Sequence, residues 1–85
     1  MIYPTIHLNG TAKEDLVERW NDAYTAVVEA IGRLQESGPN GRDYYPQGPA
    51  AFTQAQAEHL ERLHKLQSVR ADLDELREHV MFPVA

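Results

Sequence analysis

The densest group of chemically capable side chains lies between residues 38 and 48, where Asn40, Arg42, Asp43, Tyr44, Tyr45 and Gln47 are set among Gly and Pro. A passive tether needs only Gly, Ser and Pro. Arg presents a planar fork that matches phosphate or carboxylate. Tyrosine rings offer stacking faces with a hydroxyl at the tip, and Asn, Asp and Gln carry groups that match base or ribose edges. The helix that follows adds free amides and a positive dipole end. Together these compose a pocket for a small ligand bearing a phosphate or a nucleobase. Arg42 would engage phosphate, Tyr44 and Tyr45 would stack or hydrogen-bond, and Asn40, Asp43 and Gln47 would complete the polar set. The competing reading assigns the same residues to the fold, with Tyr44 and Tyr45 capping the core and Arg42 and Asp43 bonding within the turn.

A second group stands near the N-terminus, where His7 and Asn9 follow Tyr3. In a helical hairpin the start of the first helix lies far from its own linker. An antiparallel partner would bring Tyr3, His7 and Asn9 of one chain to Arg42, Tyr44 and Tyr45 of the other, giving a composite pocket between subunits. Otherwise Asn9 caps the helix entry and His7 is a surface residue.

Enzymatic readings find little support. The chain has no cysteine, which excludes thiolate metal sites and cysteine nucleophiles. Glu61 and His64 have the carboxylate–histidine spacing of di-iron bundles, but those need a second such pair and two more glutamates. His59 and His64 point to different faces, and Ser37 and Ser68 lack a nucleophile-elbow setting. No phosphate loop or dinucleotide fingerprint occurs. No enzyme activity, metal or cofactor is expected.

The elements that must position these residues follow from periodicity. Residues 1–10 form an arm too short to be a domain. Thr11 and Glu14 have capping-box spacing, and Glu14 and Asp15 suit the positive end of a helix. Leu16, Trp20, Ala23, Val27, Ala30 and Leu34 then recur every three or four residues, with Val17, Tyr24 and Ile31 beside them. This predicts a first helix over about 12–37, closed by Gly38 as a left-handed cap and by Pro39. After a linker over 38–48, a second helix runs over about 49–82, starting at Pro49 or at a Thr53–Gln56 capping box. Phe52, His59, Leu63, Leu66, Leu73 and Val80 trace its stripe, flanked by Leu60, Val69, Leu76 and Met81. Gln56, His59, Arg70 and Arg77 interrupt it, so each must pair, reach solvent or line a groove.

The expected fold is all-α, an antiparallel hairpin of two long helices forming a single domain over 1–85. Both stripes are wider than one seam requires, and an 85-residue chain without disulfide or metal has little core of its own. A homo-oligomer follows, most simply a dimer that completes a four-helix bundle. Eight basic against thirteen acidic residues give a net charge of −5, which weighs against general nucleic-acid binding. No segment reads as a membrane span or a signal peptide, so a soluble intracellular chain is expected.

The chain resembles a group of short phage and prophage proteins that carry an N-terminal motif, here His7-Leu8-Asn9-Gly10-Thr11. They also carry a central one, here Asn40-Gly41-Arg42-Asp43-Tyr44-Tyr45-Pro46-Gln47-Gly48-Pro49, between two amphipathic helices. Small helical oligomers of phages include proteins that sequester host immune nucleotide signals in pockets between subunits without cleaving them. By that analogy the resemblance implies a cytoplasmic factor in the bacterial host, binding a nucleotide-derived ligand. The alternative is a structural or protein-interaction module with no small-molecule ligand.

Overall fold

The structure is a computed structural model that describes residues 1–83. The described residues form three helical segments and no strand: α1 over Lys13–Glu36, α2 over Gly41–Gln47 and α3 over Pro49–Met81, where α2 is a short 3-10 helix. The two long helices run antiparallel. Lys13 Nζ reaches the Met81 carbonyl and Asn21 meets Arg77, while Gly38 approaches His59 at the other end. The result is a rod of 62 × 20 × 18 Å. No helix among the described residues is long and apolar enough to cross a membrane.

The ends of α1 differ from the sequence reading. Its N-cap is Ala12, which accepts the amides of Asp15 and Leu16 through its carbonyl, each at 3.1 Å, and no side chain caps it. Thr11 falls one position too early, so the expected capping box does not form, although Glu14 and Asp15 still occupy the first turn. At the other end the Ser37 amide and hydroxyl both donate to the Leu34 carbonyl, at 3.1 and 2.8 Å, tightening the last turn. Gly38 is therefore not a left-handed cap. The one positive φ among the described residues belongs to Gly48, at 93°.

α3 starts at Pro49, with the ring in the first turn where no amide is needed. Thr53 lies inside the helix, its hydroxyl turned back to the Pro49 carbonyl at 3.3 Å. The Thr53–Gln56 alternative is thus not used.

Packing follows the expected stripes but leaves most positions partly open, and Ala30 on the α1 stripe is exposed. Ile31 of α1 and Leu63 and Val80 of α3 are buried. Trp20, Tyr24, Val27, Leu34, Phe52, Leu66, Leu73 and Leu76 are half-buried, while Val28, Leu60, Val69 and Met81 remain exposed. Arg77 is accommodated in the seam: it donates to Asn21 Oδ1 at 3.0 Å, pairs with Asp74 and lies 4.3 Å over the Tyr24 ring. Arg70 and Gln56 reach solvent instead.

Two helices sharing one seam leave much surface uncovered. A compact chain of this length has a radius of gyration of about 12 Å, against 18.7 Å here. A compact monomer of this mass exposes about 5,100 Å², against 6473 Å² here. Because so few side chains are buried, each matters: replacing Leu63 by Ala should lower unfolding free energy by about 2 to 5 kcal/mol, measured by chemical denaturation.

Candidate functional site

The linker is an ordered element. Asn40 caps α2, its side-chain oxygen accepting the Arg42 amide at 3.0 Å while its carbonyl accepts the Asp43 amide at 3.0 Å. The Gly48 amide closes the element on the Tyr45 carbonyl at 3.3 Å. Gly48 then turns the chain into α3 at φ 93°, ψ 167°, a region open essentially to Gly alone. A Cβ there would meet nothing within 4 Å, so any cost of substitution is backbone strain.

This turn creates a cleft of about 600 Å³ lined by Gly41, Tyr44, Tyr45, Pro49, Phe52 and Thr53, together with Gly48. The volume suits a small organic ligand. Tyr44 and Phe52 form its aromatic wall, their rings 6.2 Å apart and tilted by 41°. Tyr44 is half-buried, whereas Tyr45 is 75% exposed and presents a free ring. A Cβ on Gly41 would make ordinary contact with the Phe52 ring at 3.8 Å, so this packing does not depend on glycine.

Of the residues expected from sequence, the cleft wall includes Tyr44 and Tyr45. Asn40, Arg42, Asp43 and Gln47 are exposed on the same element but outside the lining. Asn40 has its side-chain oxygen committed to the cap. Among the described residues Arg42 makes no side-chain hydrogen bond and no ion pair; the pairs formed are Arg33–Glu36, Lys65–Glu61 and Arg77–Asp74. The start of α3 offers fewer donors than expected, since Pro49 has no amide hydrogen and the Ala51 amide is bonded to the Gly48 carbonyl at 3.2 Å.

His7 and Asn9 lie at the opposite end of the rod. A turn closes there with the Gly10 amide on the His7 carbonyl at 3.1 Å, and the His7 ring covers Gly10 so closely that a Cβ would sit 2.8 Å from Nε2. Asn9 does not cap α1. Within one chain neither residue approaches Arg42.

The arm docks on its own chain, through contacts that no sequence pattern singled out. Tyr3 stacks on His79, ring centroids 4.0 Å apart and 14° from parallel, and its hydroxyl donates to Glu75. Glu75 and His79 are four residues apart on one helical face, the only hint available in advance. Donation to the Glu75 carboxylate holds the Tyr3 phenol above its ordinary value of 10.0; reduced hydration and the carboxylate's charge push the same way.

Comparison with known proteins finds no family model, no curated protein and no solved structure that matches this chain.

Two measurements check this geometry. Gly48→Ala should cost about 1 to 3 kcal/mol of stability by moving a Cβ into a Gly-only region, read from the shift in denaturation midpoint. For Tyr3, a folded value above the unfolded one means its stabilisation is whole below the ordinary pKa and is lost as pH rises through the folded value. The stability gap between wild type and Tyr3→Phe should therefore stay constant up to about pH 9 and narrow above it, followed by denaturant titration at each pH.

Proposed function

We propose that the chain is a non-enzymatic binding protein, working as a helical homo-oligomer that holds a small anionic, nucleotide-derived ligand. The observation that carries this reading is the aromatic cleft at the turn end, with Tyr44, Tyr45 and Phe52 in its wall and an unpaired Arg42 on the same seven-residue element. Aromatic walls accept a flat base by stacking, and a guanidinium with no internal partner is free for phosphate. Gln47 and Asp43, both exposed on that element, supply polar edges. His7 and Asn9 would contribute only across an antiparallel partner. In the role implied by the phage resemblance, the protein withdraws a host signal from solution and leaves it intact.

A protein-interaction module is the second reading, and the exposure of Leu60 at 56% and Val69 at 45% favours it. Exposed apolar rows on a helical rod serve partner helices as well as copies of the same chain.

Thermal denaturation against cyclic dinucleotides, cyclic ADP-ribose variants and nucleoside phosphates separates the two. A ligand at about a hundred times its Kd adds about 2.7 kcal/mol to stability, which for a chain this small raises Tm by on the order of 10 °C. Arg42→Ala should erase that shift while leaving the assembled mass unchanged. No shift across the panel would reject the ligand reading in favour of the interaction module.

A further inference from the structure

Uncharged side chains, polar and apolar, gather along one border of the seam. On α1, Asn21, Tyr24, Val28 and Gln35 follow helical spacings of three, four and seven, and on α3 Gln56, Leu60 and Gln67 follow spacings of four and seven. Both rows lie on one broad side of the hairpin. Gln35 shares a concavity with Gln56, Leu60 and Leu63, and further along the rod Asn21 shares another with Asp74, Arg77 and Met81.

At the centre of that side Val28 is 41% exposed and Leu60 56%. Their helical neighbours three and four residues away are Tyr24, Thr25, Ile31 and Gly32 around Val28, and Gln56, Ala57, Leu63 and His64 around Leu60. Not one is Asp, Glu, Lys or Arg, in a chain where those types make up 25% of residues. A Cβ on Gly32 would meet nothing within 4 Å, so the approach beside Val28 is open. On the opposite flank Val69 is also exposed, at 45%, but Lys65 and Asp72 border it at the same spacings.

We infer that the strip centred on Val28 and Leu60 is the face on which a second copy of this chain packs, closing a four-helix bundle. The inference rests on the assembly part of the proposed function and names the surface that achieves it. Two arguments select a copy as the occupant. A twofold interface sets one patch against its own copy, so in a chain of net charge −5 a patch free of Asp and Glu is the one that meets its copy without acidic repulsion. The surface above that of a compact monomer is about 1,400 Å², and a standard interface takes about 800 Å² from each partner. One such face therefore takes up more than half of that excess and leaves the turn-end cleft to its ligand.

Sedimentation equilibrium of the wild type should give twice the 9.6 kDa chain mass, and Leu60→Glu or Val28→Lys should shift it toward a single chain, with Val69→Glu remaining a dimer. A second measurement, independent of the stability of the separated hairpin, uses single cysteines in this cysteine-free chain. Leu60→Cys and Val28→Cys should be joined into covalent dimers by a short bis-maleimide, and Val69→Cys should not. A dimer that persists in Leu60→Glu and Val28→Lys, or cross-links through residue 69 alone, overturns the face while leaving assembly intact. A single-chain mass for the wild type overturns the face and the assembly reading together, whereas the ligand panel tests the cleft independently of either.

Discussion

Two antiparallel helices have one line of contact between them, and that limit governs the rest of this molecule. An interior needs side chains surrounded on all sides, yet a pair of rods can surround only those pointing along the seam. Hence Ile31, Leu63 and Val80 are buried while Trp20, Tyr24 and Phe52 are only half-covered. Hydrophobic stabilisation scales with the area taken from water, so an isolated chain has little of it to set against the entropy of ordering 83 residues.

The chain adds to its seam at both ends. At one end the arm folds over α3, where the Tyr3 ring on His79 and its bond to Glu75 secure residues that would otherwise be a loose tail. At the other, α2 replaces a floppy crossing with a capped 3-10 turn, and Tyr44 on Phe52 extends aromatic packing past the last turn of α1. Between them Arg77 is tolerated in the seam because Asn21, Asp74 and the Tyr24 face all receive it. A guanidinium half out of water is costly unless its donors are met.

The same turn that finishes the core makes the cleft. Gly48 reverses the chain with a backbone geometry no other residue takes easily, and Pro49 restarts a helix at once. The 3-10 segment is thereby held over the first turns of α3, leaving Tyr45 and Arg42 outward while Tyr44 turns in. Structural and binding roles are therefore divided among neighbouring side chains of one short element: Asn40 and Tyr44 build it, and Arg42 and Tyr45 are left free.

Much of this was legible in the residues themselves. Helix limits fell within a residue or so of the periodic stripes, because apolar spacing of three and four has one low-energy solution. Pro49 and Pro39 marked breaks that backbone chemistry enforces locally. Local signals failed where rival caps were on offer: Thr11 stands one position early, and Gly48 rather than Gly38 takes the positive φ. Only the tertiary structure decided that Tyr3 docks on its own His79, that Arg77 finds Asn21, and that Tyr44 and Tyr45 line a cleft while Arg42 stands beside it. Those outcomes join residues up to 76 positions apart. Their register depends on how two whole helices settle against each other, which no short window of sequence contains.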